Sequence, residues 1–379
     1  MVMLGMTMII PFMPYYIQEM GVTDPKAITL WAGLIFAGNF VTTFIFQPIW
    51  GNLADRYGRK VMILRSGFGM AVTMLLMGFA QMPWQILALR LLNGTISGFG
   101  PAATSLVAAS TPKERMGFAM GMLQSGTVAG TILGPLLGGT FSTYFGYRPI
   151  FYVTSALLAM AAVLAWIFVK ETFDKSAAAA QPKQSVWEKW AIIRPMKGLL
   201  ALFSVTFLIQ FALFATMPLM AIYVQQLHGN SPNIALYSGM VAAATGISNM
   251  IASPILGRWA DRVGAHRILL ISLIGAGLAL IPHAFVQNYW QLFGLRFLLG
   301  VFIGGLIPSV NALLRKNTPA DMVAVTYSFN ASSLSLGNVL GPILGGFFAG
   351  YITIPGVFAV AAVLFLVNAW WVRRVLPKG

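Results

Sequence analysis

Gly51-Asn-Leu-Ala-Asp55-Arg56-Tyr-Gly58-Arg59-Lys60 returns 206 residues later as Gly257-Arg-Trp-Ala-Asp261-Arg262-Val-Gly264-Ala-His266-Arg267. Each string is a short basic turn between two long apolar runs. Working outward, Arg90, Gly94 and Gly98 reappear as Arg296, Gly300 and Gly304 at the same offset. Gly126, Gly130, Gly134 and Gly138 reappear as Ser333, Gly337, Gly341 and Gly345, shifted by 207. Three separate features holding nearly one offset imply a duplication: the chain is one unit written twice.

The unit is made of membrane spans. Of 379 residues, 58% are hydrophobic and 9% charged, against roughly a quarter charged in soluble domains. The apolar residues come in blocks of about twenty, the length that crosses a hydrocarbon core. Spans are expected near 1–18, 29–49, 61–80, 84–108, 117–140, 148–169, 198–225, 235–256, 267–285, 289–312, 323–349 and 353–372. Lipid forces the backbone to bond to itself, so the expected fold is an all-α polytopic membrane protein, twelve helices in two pseudo-symmetric six-helix bundles. The bundles are 1–169 and 198–379. Residues 170–197 carry mixed charge, the run Ala177–Ala180 and Gln181-Pro182, and read as a cytoplasmic linker with a short interfacial helix around Trp187–Trp190. The first span begins at Met1 without the charged start or cleavage site of a signal peptide, and part of this helix and its lead-in are expected to precede the numbering.

Twenty of the 24 Lys and Arg residues fall on alternate loops that share one side of the membrane. Lys26 and Arg148 lie on the other side, and Arg90 and Arg296 lie within spans. The basic side is therefore expected to be cytoplasmic, with both termini inside. The net charge of +15 is then a topology signal with some attraction to lipid headgroups, rather than a nucleic-acid footprint. Zero cysteines exclude disulfides and thiolate chemistry. No nucleophile elbow, metal-ligand cluster or Walker A string is present, so no enzyme activity, cofactor or metal is expected.

Gly51–Lys60 resembles the loop signature between the second and third helices of the major facilitator superfamily, and Arg90 with Gly94 resembles its fourth-helix motif. Gly126-Thr-Val-Ala-Gly130-Thr-Ile-Leu-Gly134-Pro135-Leu-Leu-Gly138-Gly139 resembles the fifth-helix motif of its antiporters. Together these are similar to the twelve-span drug:proton antiporters. Pro11-Phe-Met-Pro14-Tyr-Tyr-Ile, the Trp50–Lys60 string and Arg65-Ser-Gly look closest to the bacterial MdtG-like branch. The resemblance implies multidrug efflux by alternating access in the bacterial cytoplasmic membrane. It also implies a monomer whose partners are a small-molecule substrate, protons and lipids, with the substrate site at mid-membrane between the halves. Asp55 and Asp261, with Arg56 and Arg59, would form a conformational latch or, at Asp55, a proton site; the bland reading is a basic loop with static salt bridges. Gly130, Gly134, Pro135, Gly341 and Pro342 would form smooth, bendable hinge faces; simple tight packing needs the same stripe.

Arg90 stands about one and a half turns into an apolar helix, where arginine is costly unless it meets a cavity, a partner or the interface. It holds its proton at working pH, so it cannot carry one. It lowers a nearby acid's affinity for protons or holds an anionic group of the substrate, or else it snorkels to the outer face or binds backbone carbonyls; Arg296 has a site role or is a relic of the duplication. None of the nine acids lies in the middle of a span, which leaves Glu19 and Asp55 as coupling candidates, Glu19 reading also as a bystander at the surface. Neutral amides (Asn39, Asn93, Gln124, Gln210, Asn249, Asn330) and aromatics (Tyr15, Phe36, Phe40, Phe207, Phe211, Phe214) line the spans. They suit a promiscuous apolar cavity for amphipathic compounds, or serve as helix–helix glue. His283, near the outer end of its span, reads as interfacial. The alternative function is a facilitator or exporter of a small polar or anionic metabolite such as a sugar, an organic acid or a siderophore-like compound.

Overall fold

The computed structural model describes residues 1–112, 115–169, 171, 196–229, 231, 233–318 and 323–375, so the expected linker and its interfacial helix lie outside the described residues. Among the described residues eight helical stretches are long and apolar enough to cross a membrane. One of them, Val323–Val375, turns at Thr353 (φ 68°) and forms two spans. With 2–19, 83–110 and Met116–Phe145, the helices among the described residues number twelve. They are α1 (2–19), α2 (Pro25–Tyr57), α3 (Arg59–Met77), α4 (83–110), α5 (Met116–Phe145), α6 (Arg148–Phe168), α7 (197–228), α8 (Ile234–Val263), α9 (Ala265–Phe285), α10 (Tyr289–Asn317), α11 (323–352) and α12 (354–375). The order and number match the expected spans. Several helices run past their apolar blocks: α2 reaches Tyr57 and α8 reaches Val263, because a helix need not stop where the hydrocarbon does.

The repeated loop string makes the same joint twice. Gly58 (φ 96°) separates α2 from α3, and Gly264 (φ 103°) separates α8 from α9. Each glycine N–H closes the preceding helix by donating to Ala54 O or Ala260 O. Only glycine takes that backbone conformation without strain. Glu171, just beyond α6, completes the first joint: its carboxylate accepts from Arg59 N (2.9 Å) and Lys60 N (2.7 Å) at the start of α3. An acid there satisfies two orphan donors and complements the helix dipole. Glu171→Ala is expected to lower stability by about 1 kcal/mol, read as a lower thermal midpoint, with Glu171→Gln recovering part of the loss.

Three helices are interrupted, which the apolar pattern did not show. In α1 a 3-10 turn at Ile10–Phe12 contains Pro11, and in α7 one at Met217–Leu219 contains Pro218, again at the offset of 207. A proline removes one backbone donor, and irregular backbone is tolerated at membrane depth only where protein covers it; Pro11, Phe12, Pro218 and Leu219 are all buried. The third break, at Ser97-Gly98 in α4, has no counterpart, since α10 runs unbroken through Gly304. Two further expectations are corrected. Arg65, counted with the basic loop, lies inside α3. His283 is fully buried rather than interfacial, because the end of α9 tightens into a 3-10 turn and brings its ring to 5.4 Å from that of Phe358.

Candidate functional site

The halves meet through α2 against α11 and α5 against α8. Both contacts depend on glycine. A Cβ on Gly33 (α2) would collide with Pro342 O and lie 3.3 Å from Gly346 Cα in α11. A Cβ on Gly239 (α8) would collide with Pro135 O and lie 3.4 Å from Gly139 Cα in α5. The two contacts are copies: 33 and 239 differ by 206, and 135 and 342, like 139 and 346, by 207. The third contact is α1 against α7. Gln18 and Gln225, equivalent positions of the two halves, exchange amide hydrogen bonds of 2.8 and 2.9 Å. Equivalent residues that touch one another must flank the pseudo-two-fold axis. Beside them Tyr15 O–H bonds Ala221 O (2.5 Å) and lies 2.8 Å from Ser238 Oγ, tying α1 to α7 and α8. Lys26 Nζ stands 5.7 Å above the Tyr351 ring at the rim.

All of these contacts lie at the end of the bundle away from Gly51–Lys60 and Gly257–Arg267. Toward that basic end the helices part. A Cβ on Gly51, Gly121 or Gly126 would meet nothing within 4 Å, and Gly257 would touch only Pro308 of its own half. Gln47 and Gln124 are exposed there. Among the described residues the halves thus enclose a gap closed at one end and open at the basic end. At its vertex Phe36 and Phe40 of α2 meet Phe214 of α7 in a triangle, with ring centroids 5.6, 5.9 and 5.5 Å apart.

The expected site residues divide by this geometry. Phe36 and Phe214 come together at the vertex; Tyr15 belongs to the closed end. Asn39 is buried beside them with Oδ1 unpartnered, while Gln210 is buried and Asn249 half-buried. Asn330 accepts from Thr206 (2.7 Å) between α11 and α7, and Asn93 donates to Thr73 (2.6 Å) between α4 and α3, so both sit in helix contacts of their own bundle. Arg90 and Arg296 are each about 6% exposed, not snorkelling, with Nε unpartnered in both and Nη2 in Arg296. Glu19 and Asp261 are exposed. The side chains of Asp55 and Arg56 lie outside the described ones, and Arg59 is present with its Nε unpartnered.

The glycine stripes turn out to seat helices within each bundle. A Cβ on Gly134 would strike Thr7 of α1, whose hydroxyl donates to Gly130 O (2.9 Å), and one on Gly341 would lie 2.8 Å from Phe211 O in α7. Pro135 and Pro342 face across the interface instead. The inter-half glycines Gly33, Gly239 and Gly346 were not singled out in the sequence, although the offset already paired them.

The model of the Major Facilitator Superfamily matches residues 1–249 and again 202–379. The chain is 41% identical over 376 residues to "Multidrug resistance protein MdtG" of Serratia proteamaculans, covering 98% of this chain and 90% of that protein. A protein of the same name from Salmonella arizonae is 41% identical over 363 residues, covering 96% and 89%. Among solved structures, a bacterial homolog of the human lysosomal transporter Spinster, inward-facing and unoccupied, superposes with a TM-score of 0.78 at 15% identity, covering 98% of this chain and 93% of the other. A point mutant of the nucleoside transporter NupG superposes with a TM-score of 0.76 at 14% identity, covering 99% and 98%. A duplicated six-helix unit, a gap on the pseudo-two-fold axis and these matches along its whole length make this chain a member of the Major Facilitator Superfamily, a membrane transporter and not an enzyme.

Proposed function

We propose that this protein exports lipophilic or amphipathic compounds across the bacterial inner membrane by alternating access, as a monomer driven by inward proton flow. The basic end faces the cytoplasm, with both termini on that side, so the structure is the inward-open state. The observation that carries the reading is the Phe36–Phe40–Phe214 triangle, drawn from both halves at the vertex of a gap that is open toward the basic end among the described residues. Apolar faces without fixed charge favour bulky, variable ligands over small polar ones, and contacts shared by two halves are remade when the halves rock. The names of the MdtG relatives point to the same substrate class.

Within that cycle Asp55, Asp261, Arg56 and Arg59 act as a latch that forms when the basic end closes. The exposure of Asp261 in the open state is consistent with this role. Gly130, Gly134 and Gly341 keep α1 and α7 seated while Pro135 and Pro342 lie where the halves slide.

The test is purified protein in liposomes, a fluorescent lipophilic cation and an imposed pH gradient. Gradient-driven movement that collapses with a protonophore is expected; movement following only the substrate's own gradient would replace antiport by facilitation. Phe214→Ala is expected to raise the substrate concentration for half-maximal transport about tenfold, the value of one large aromatic contact. An unchanged concentration dependence would remove the triangle from the substrate site.

A further inference from the structure

The break in α4 is held from two sides. Trp50 Nε1 of α2 donates to Thr95 O (2.6 Å), and Arg65 Nη2 of α3 donates to Ile96 O (3.0 Å) and Ser97 O (3.3 Å). The guanidinium also stacks 3.3 Å from the centroid of the Trp50 ring. Beside this arrangement, between α2, α3 and α4, lies a cavity of about 300 Å³ that Gln47, Ser105 and Gly98 help to line. Its lining residues do not include Phe36, Phe40 or Phe214 of the aromatic vertex.

Capping the broken helix uses one nitrogen of Arg65. Nε and Nη1 are buried and have no hydrogen-bond partner, and no ion pair of Arg65 occurs among the described residues. A cation with two unused donors in a membrane span is costly unless a counter-charge completes it. The second half shows that packing does not require the arrangement. At the offset of 206, Leu256 and Ile271 replace Trp50 and Arg65. There Gly304 is packed so closely that a Cβ would lie 2.9 Å from Ser253 N, whereas a Cβ on Gly98 would meet only Arg65 Nη2, at 3.4 Å. One fold, written twice, keeps a cavity and a cation in one copy and fills the same place in the other.

The depth indicates the ligand. Arg65 is six residues into α3, about 9 Å from the basic end at 1.5 Å per residue, where headgroups give way to acyl chains. A guanidinium fork matches a phosphate better than any other common anion at that level, and basic clusters between helices draw anionic lipid. We propose that the Trp50–Arg65 cavity binds the phosphate group of an anionic phospholipid from the leaflet at the basic end.

The test is native mass spectrometry of the full chain taken from mixed phosphatidylglycerol and phosphatidylcholine. Intrinsic tryptophan melting curves report folding. One retained phosphatidylglycerol is expected on the wild type, and Arg65→Gln is expected to lower its occupancy about tenfold or more, the value of a charge-assisted hydrogen bond. Arg65 also caps α4, so a second variant separates binding from folding: Ser105→Phe fills the cavity, leaves the cap intact, and is expected to lose the lipid at unchanged melting temperature. Full retention in folded Ser105→Phe would overturn the site. Equal retention of phosphatidylcholine, or displacement of the lipid by inorganic phosphate at equal concentration, would overturn the lipid as its ligand.

Discussion

Gly33→Val and Gly239→Val, combined in one chain, are expected to force open the end that this structure shows closed. A single Cβ at either position already runs into a carbonyl, Pro342 O or Pro135 O. Backbone cannot rotate aside as a side chain can. Overpacking of a close contact costs about 1–3 kcal/mol, and the two sites sit in separate helix pairs, so their costs add. A total of about 2–6 kcal/mol shifts a two-state equilibrium by roughly 30-fold to more than 10⁴-fold, enough to invert the populations of the two states. Each single variant is expected to show part of the shift, and transport falls because the state open at the basic end is depopulated. The natural absence of cysteine allows spin labels at Thr23 and Gln226 alone, both exposed at the closed end. The label-to-label distance is expected to lengthen in the double variant. An unchanged distance distribution would mean that the glycine contacts pack the halves without gating them.

How far this was legible in the sequence depends on what a pattern can report. The offset of 206 to 207 disclosed the two bundles and the paired joints at Gly58 and Gly264, because equivalent positions must fold alike. It also contained the contacts between the halves: Gly33 answers Gly239, and Gly139 answers Gly346. The densest glycine stripe, Gly130, Gly134 and Gly138, lies elsewhere. Period-four glycine says that some helix comes close, and not which one; here it is α1 of the same bundle. The Gln18–Gln225 pair was hidden for a related reason. Each glutamine alone looks like an ordinary polar residue at a span end, and only the axis makes them partners. The break at Ser97-Gly98 is a departure from the repeat, so likeness between the halves carries no sign of it. Arg90 was conspicuous because charge inside an apolar run needs no partner to be noticed.

Arg90→Ala is expected to abolish export, by about a hundredfold, while leaving the fold as stable as before or more so. The two halves of that expectation rest on one fact: Arg90 is about 6% exposed with Nε unpartnered, and no ion pair of it occurs among the described residues. A buried cation that lacks a counter-charge is a burden on stability, so removing it offsets the packing lost with the side chain. A residue kept to hold the bundle together would behave in the opposite way, lowering the melting temperature when cut back. Arg90 cannot release its proton, so its charge is present in every state of the cycle, and what changes is its surroundings. Among the buried residues of α4, which include Ile86 and Asn93, Arg90 keeps its Nε without a partner. A state in which substrate or a carboxylate reaches it is then favoured by the full strength of a charge-assisted contact, about 1.5–3 kcal/mol. Arg90→Lys keeps the charge and loses the fork, and is expected to retain a minor part of the transport. Arg296, buried alike with its Cζ 5.5 Å from the Phe358 ring, has an aromatic face to rest against, so Arg296→Ala is expected to cost less transport than Arg90→Ala. Transport at the wild-type rate in folded Arg90→Ala would show that the cation takes no part in the cycle. A lowered melting temperature with transport intact would make it structural.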